Sequence, residues 1–250
     1  MEYNEYINNE IITNYITSVI NSSSFPTFFD TYHPIINELE INHVSILNEF
    51  INIEKKAHDW LEKDIYYTKN GNFQVGKGWN VFGLWEFGIK NEKNCKLCPL
   101  TSSIFEKYND VQSIVAFSIL RKKSHIIPHH GWFPYSNLHL RGHLGIIIPD
   151  NISVKTKSIF PDIEPFSPSS DLIPNCAIKV RNDIKTWETG KVLIFDDINR
   201  HSAWNFTDMD RVVLLFDLPK DNQYKLKIDE KYLDPKIMEK YFSNFRNKIN

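Results

Sequence analysis

Leu138-His139-Leu140-Arg141-Gly142-His143-Leu144-Gly145 alternates apolar and polar side chains almost residue by residue. On an extended backbone successive side chains point to opposite faces. Leu138, Leu140, Leu144 and Ile146 then share one face, and His139, Arg141, His143 and Gly145 share the other. Packing alone does not put an arginine and two histidines in a row behind so apolar a face. Turned into a barrel interior, the polar row makes a cationic wall suited to a carboxylate, because guanidinium offers a planar fork that pairs bidentately. Turned outward, it is a solvated sheet face. Periodicity alone leaves both readings open.

The surrounding texture is that of a mainly β protein. From about Gly76 short apolar or alternating runs are separated by turn residues, and Val111–Leu120, Leu138–Ile148, Ala177–Val180, Lys191–Phe195 and Arg211–Asp217 read as strands. Such strands suggest a sandwich or small barrel. Residues 1–75 read as a helical segment packing on that barrel, with Ile11, Ile12, Tyr15, Ile16, Val19 and Ile20 at helical spacing and a second helix over Val44–Leu61. Residues 150–175 carry four prolines and several serines and read as a long loop inserted in a core of residues 76–218. Beyond Pro219 the chain turns polar, residues 219–250 read as a helical tail, and a terminal helix is expected over Pro235–Asn247.

Composition bounds the function. In 250 residues, 42% are hydrophobic and 14% aromatic, enough for a sizeable core. The net charge of -2 gives no global basic field for nucleic acid or an anionic membrane. The start, MEYNEYINNE, has no basic and then apolar pattern of a secretory signal, and no run reaches the roughly 20 apolar residues of a membrane span. Three cysteines do not make a disulfide framework. The expectation is a cytoplasmic protein with no membrane span.

Two further segments carry chemistry. One is Pro128-His129-His130-Gly131. The other runs from Gly190 through Phe195, Asp196, Asp197, Arg200 and His201 to Trp204, followed by Arg211. His129 and His201 both flank strands, where a barrel mouth would lie. A lone histidine is more often structural than a ligand, but two of them so placed, with Arg141, His143 and Arg211 nearby in the pattern, favour a metal. Imidazole suits divalent iron, zinc, copper or nickel.

Taken together, His129-x-Gly131, Arg141-x-His143-Leu144-Gly145, Trp187-Glu188-x-Gly190 through Asp197, His201 and Arg211 resemble the aspartyl/asparaginyl β-hydroxylase family over roughly residues 79–218. Trp79-x-x-Phe82, Cys95-x-x-Cys98-Pro99 and Phe117-Ser118-x-Leu120 extend the likeness. The resemblance implies a double-stranded β-helix, a jelly-roll or cupin-like core. It implies an oxygenase that uses iron(II), 2-oxoglutarate and O2 to hydroxylate a C–H bond. His129 and His201 match the iron-binding histidines, and Arg211 the arginine that pairs with the distal carboxylate of 2-oxoglutarate. Ser118 matches a serine that binds this cosubstrate; Arg141 and His143 match residues close to the cosubstrate or substrate carboxylate. The substrate is expected to be an amino-acid-like molecule, a peptide or protein side chain, or an acyl chain.

Most of the wider superfamily completes a two-histidine, one-carboxylate triad with an acid two positions after the first histidine. Gly131 stands there, as it does in the resembled family, and is expected to leave room for water or, in a halogenase, for a halide. A 2-oxoglutarate halogenase and a non-catalytic jelly-roll binding module are therefore the rival readings, with a zinc hydrolase behind them. His130 is read as a rim residue, with His130 in place of His129 as ligand the alternative. Asp196 and Asp197 point apart as strand neighbours, and one of them is expected to orient a histidine. Trp132, Phe133 and Tyr135 are expected at the substrate mouth. Cys95 and Cys98 are read as structural, Cys176 as a buried thiol, the cluster Trp79, Phe82, Trp85 and Phe87 as core, and the lysines between 225 and 240 as a solvated face.

Overall fold

The computed structural model describes residues 17–30, 33–59, 66–68, 78–131, 135–155 and 172–227. Two antiparallel sheets carry the architecture. The larger has eight strands. Its order is β1 (Phe28–Phe29), β13 (Val192–Phe195), β8 (His139–Ile147), β15 (Arg211–Pro219), β6 (Val115–Leu120), β4 (Trp79–Glu86) and β2 (His58–Asp59), with β5 (Ile89–Lys90) attached to β4. The smaller has the order β12 (Asp183–Lys185), β11 (Cys176–Val180), β14 (His201–Asn205), β7 (Ser124–His129) and β3 (Tyr66–Thr68). A separate hairpin pairs β9 (Ser153–Lys155) with β10 (Leu172–Pro174).

In two stretches the chain crosses from one sheet to the other at each strand. Strand β6 lies in the larger sheet, β7 in the smaller and β8 in the larger; β13, β14 and β15 repeat the pattern. This alternation is the double-stranded β-helix. Between the sheets, Val81, Val213 and Leu215 from one side meet Ile126, Ile178 and Ala203 from the other. The inner space is thus a packed core at its closed part and a cavity where polar side chains replace apolar ones.

The larger sheet's outer face is covered by helices. Helix α1 (Pro34–Ile41) begins with proline in its first turn, where a missing N–H costs nothing, and the His33 ring accepts from Ile35 N at 3.3 Å. Helix α2 (His43–Ile53) follows directly. Ile35, Leu39, Ile46, Phe50 and Ile53 from these helices are fully buried with Phe117, Leu144, Leu214 and Phe216 of the sheet. Burying side chains of this size stabilises by about 1.5–3 kcal/mol each before conformational entropy is subtracted. Short helices α3 (Glu92–Cys95) and α4 (Pro99–Glu106) complete the layer. The Glu49 carboxylate accepts from Leu100 N at 2.6 Å and Thr101 N at 3.0 Å at the start of α4, opposite the helix's positive end.

The opening alternation reads correctly in three dimensions. Leu140, Leu144 and Ile146 face the helices, and Arg141 and His143 line the space between the sheets. Leu138 lies outside the strand and is half exposed. Several expectations are corrected. Residues 17–22 are helical, but the earlier part of that helix falls outside the described residues. The helix expected over Val44–Leu61 ends at Ile53, a 3-10 turn follows, and β2 occupies His58–Asp59. The segment before residue 76 is therefore not purely helical: β1, β2 and β3 form sheet pairs. The loop 150–175 is anchored by the β9–β10 hairpin, while residues 156–171 fall outside the described residues. Trp132, Phe133 and the helix expected over 235–247 fall outside them too.

Candidate active site

His129 closes β7 and His201 opens β14, and the two are register partners across the antiparallel pair. Both rings face inward, with centroids 4.3 Å apart. Each ring is fixed by its own backbone. Nδ1 of His129 lies 2.8 Å from Ile127 O, and Nδ1 of His201 lies 2.8 Å from Asn199 O. A carbonyl can only accept, so each Nδ1 carries the proton and each Nε2 keeps a free lone pair. Burial lowers both imidazole pKa values, His129 to about 4 and His201 well below its ordinary range. Neutral rings with fixed tautomers are what a divalent cation needs.

The residues fit a shared metal ion. Imidazole nitrogens bound at about 2 Å to one ion hold their ring centres about 4 to 5 Å apart, which matches the observed separation. His130 does not take this place: it is exposed, and its Nδ1 turns to Ile198 O at 2.9 Å. Among the described residues no three His, Cys, Asp or Glu side chains form a metal-binding group. The chain therefore offers two imidazoles and no complete facial triad.

Gly131 explains that departure in atomic terms. A Cβ built on Gly131 would lie 2.7 Å from both Cγ and Oδ2 of Asp197 and 2.8 Å from Asp197 O. Gly131 N donates to Asp197 O at 2.7 Å. The space expected to stand open beside Gly131 is thus bordered by a carboxylate from the opposite loop. Asp197 is buried, and desolvation pushes its carboxyl pKa up to about 6 against the pull of Arg141. Asp196 turns the other way, into a buried ion pair with Lys220 Nζ at 2.6 Å. The two acids diverge as expected, but neither orients a metal-facing histidine; the backbone carbonyls of Ile127 and Asn199 do.

The cavity is lined by two arginines with opposite circumstances. Arg141 is balanced twice, with Nε 2.8 Å from Asp217 Oδ1 and Nη2 3.1 Å from Asp197 Oδ2. Tyr135 Oη donates to Asp217 Oδ2 at 2.6 Å, which ties Tyr135, itself part of the cavity lining, into this network. Arg211 is 1% exposed, and no carboxylate among the described residues pairs with it. Its Nε and Nη1 have no hydrogen-bond partner among those residues. Its guanidinium carbon sits 4.6 Å above the Trp187 ring, a cation–π contact. Burial lowers its pKa to about 10. A buried cation left without a counterion is expensive, so the site calls for an anion.

Other donors converge on the same space. Trp187 Nε1 donates to Nδ1 of His143 at 3.1 Å, so the neutral ring carries its proton on Nε2, which is buried and unpartnered. Ser118 Oγ accepts from Trp79 Nε1 at 2.8 Å, leaving its hydroxyl proton to donate. Ser118, His143 and Arg211 line one cavity with His129 and His201. The cavity lining thus combines two imidazole lone pairs with a cluster of donors. Such a cavity can chelate a metal and grip a bound carboxylate at the same time.

The cysteines play no part in it. Cys95, Cys98 and Cys176 are free and buried, and desolvation pushes the thiols of Cys98 and Cys176 up to about 12. Asp217 is a site residue that sequence reasoning missed, and Asp197, expected at most to orient a histidine, instead pairs with Arg141. The only signal for Asp217 was its place six residues after Arg211 on one strand.

Comparison with known proteins identifies the family. A family model described as Aspartyl/Asparaginyl beta-hydroxylase matches residues 40–221. The "Aspartyl/asparaginyl beta-hydroxylase" of Mus musculus is 29% identical over 75% of this chain and 22% of its own length. The "Ornithine lipid ester-linked acyl 2-hydroxylase" of Rhizobium tropici is 38% identical over 57% of this chain and 42% of its own length. The chain spans less than half the length of these curated relatives. A crystal structure of a Pseudomonas putida prolyl-4-hydroxylase aligns with a TM-score of 0.42 at 10% identity, covering 82% of this chain and 99% of that one.

Proposed function

The chain belongs to the aspartyl/asparaginyl β-hydroxylase family, and from that premise we propose that it is an iron(II)- and 2-oxoglutarate-dependent oxygenase that hydroxylates an unactivated C–H bond. The observation that carries this reading is Arg211, a buried guanidinium with no counterion, in the same cavity as two metal-ready imidazoles. A dicarboxylate cosubstrate would answer the unpaired charge of Arg211 in the cavity where His129 and His201 would hold the metal. Bound iron supplies dioxygen activation coupled to oxidative decarboxylation of 2-oxoglutarate.

The chain's own residues do the positioning. His129 and His201 hold the metal through Nε2. Arg211, Ser118 and the Nε2–H of His143 orient the distal carboxylate, and the Trp187 ring covers the guanidinium and excludes water. Arg141 is held rigid by Asp197 and Asp217, so it presents its remaining N–H groups to the cavity in a fixed direction. Asp197 borders the space beside Gly131, where a negative neighbour opposes a halide. That favours hydroxylation over halogen transfer. A binding module without catalysis leaves the metal-ready tautomers of His129 and His201 unexplained.

The substrate is an amino-acid-like molecule, a peptide or protein side chain, or an acyl chain. The test is anaerobic loading with iron(II), then oxygen and a screen of these three classes. Succinate formed in step with a product heavier by one oxygen atom supports the proposal. Consumption of a candidate substrate without succinate, or with a chlorine mass gain, overturns it.

A further inference from the structure

Arg141 lines the cavity but brings no free charge to it. Asp217 Oδ1 lies 2.8 Å from its Nε, and Asp197 Oδ2 lies 3.1 Å from its Nη2. Two carboxylates facing one guanidinium leave the trio with one negative charge in excess. Both acids are buried, so water and salt do little to screen that excess. Tyr135 Oη donates to Asp217 Oδ2 at 2.6 Å, a neutral donor that adds no positive charge.

The remaining charges of the interior cancel. Among the described residues, Arg211 is the other cation of the lining, so Arg141 and Arg211 together match Asp197 and Asp217. Lys220 and Asp196 form their own pair at 2.6 Å, outside the lining. The lining histidines are neutral near pH 7, since burial lowers the pKa of His129, His130, His143 and His201 below the ordinary value. A divalent metal and 2-oxoglutarate, a dianion, balance each other. With both bound, Arg211 is engaged by the cosubstrate and Arg141 by its two acids. A carboxylate carried in by the substrate becomes a buried anion with no uncompensated cation to meet it, which is strongly unfavourable. Much of the rest of the lining is apolar, from Ile126, Ile178, Phe195, Ala203 and Leu215.

We propose that the segment of the substrate that enters this cavity is uncharged: an aliphatic group whose carbonyl, where it has one, is an amide or ester and not a carboxylate. Asp197 and Asp217 enforce this choice as positioning residues, by cancelling the charge of Arg141. The inference rests on the oxygenase reading, which supplies the metal and the dianion of the balance. It narrows the substrate classes to amide side chains and acyl chains, and removes aspartate side chains and free carboxylates.

The experiment uses iron(II)-loaded protein saturated with 2-oxoglutarate under anaerobic conditions. The visible absorption of the chelated cosubstrate reports entry beside the metal without turnover. Two pairs of probes differ in charge at nearly constant shape: an acetylated, amidated peptide carrying Asn or Asp, and hexanamide or hexanoate. In the pair that binds, the neutral member should act at a concentration about tenfold or more below that of its anion. The pair that responds separates a protein-type amide from an acyl chain. An anion that binds as well as its neutral partner, or no shift from either neutral compound, overturns the inference. Asp217→Asn and Asp197→Asn each remove one negative charge, and each should narrow or reverse the preference by about tenfold. Loss of packing weakens both members of a pair alike and leaves their ratio unchanged, so a wild-type ratio in both variants overturns the role of the acids. Melting temperatures check that the variants are folded, and the wild-type pairs decide the charge rule without them. Failure of the chelate to form contradicts the oxygenase reading itself, whereas an intact chelate that prefers the anion contradicts only the charge assignment.

Discussion

Gly131 and Asp197 approach so closely that the position beside the metal-facing histidines admits no side chain on residue 131: any Cβ there falls 2.7 Å from the Asp197 carboxyl. Installing the missing triad acid by Gly131→Asp should therefore fail. It is expected to destabilise the protein by about 1–3 kcal/mol through overpacking and to weaken metal binding. Adding Asp197→Ala should recover most of the loss, a non-additivity that marks direct contact. Urea unfolding of the two single variants and the double variant reads it; purely additive effects would show that the two residues do not collide.

The buried imidazoles make metal-free protein acid-sensitive. Desolvation lowers the pKa of His125 to about 3 and of His129 to about 4, and those of His143 and His201 lie well below their ordinary range. The unfolded chain takes up these protons below its ordinary histidine pKa near 6.5, while the folded chain does not. Between those limits the unfolded state binds more protons, so stability falls as pH falls. Each such histidine contributes up to about 1.4 kcal/mol per pH unit. Urea midpoints measured from pH 7 down to pH 5 should drop steeply, and a flat profile would mean that the rings are solvated.

Lys220 and Asp196 form a buried ion pair, 2.6 Å apart, with Lys220 also donating to Ser136 O at 3.0 Å. Lys220→Met strands the carboxylate and should cost about 3–5 kcal/mol. Lys220→Met with Asp196→Leu should cost much less, because no charge is left without a partner. Thermal unfolding of the pair of variants checks this.

The legible part of the molecule was the part written along single strands. Alternation over Leu138–Gly145 put Arg141 and His143 on one face without saying whether it turned inward, and the motif resemblance picked out His129, His201 and Arg211. What stayed hidden depends on approach between distant segments. The contact of Gly131 with Asp197 arises from two loops brought together at the barrel end. The double clamp on Arg141 needs Asp217 from β15 beside Asp197 from the loop after β13. Tyr135 follows the first histidine closely enough to suggest the substrate mouth, yet its hydroxyl is claimed by Asp217. Trp79, Phe82 and Trp85 read as core and are core, on strand β4, whereas Phe87 lies in the turn beyond it and is only partly buried. The strands β7 and β14 went unnamed because His125, Pro128, Ser202 and Asn205 break their apolar pattern.

Arg211 should trade stability for ligand binding. Its charge is buried and unpaired in the absence of an anion, so Arg211→Met should raise the melting temperature of ligand-free protein, as apolar replacement of buried charge often does. The same variant should lose the stabilisation that 2-oxoglutarate gives the wild type. A variant less stable than the wild type, with the ligand effect intact, would show that the guanidinium is already satisfied within the fold.

The most direct test is an anaerobic titration of 2-oxoglutarate into iron(II)-loaded protein, followed by the visible absorption of the cosubstrate chelated to iron(II). Wild type should saturate at one site. His129→Ala and His201→Ala should each lose the iron and the absorption, whereas Arg211→Ala should keep the iron and need about 10- to 100-fold more 2-oxoglutarate, the range for a charge-assisted hydrogen-bonded pair. Iron retained without either imidazole, or an Arg211→Ala titration that overlays the wild type, would contradict the account.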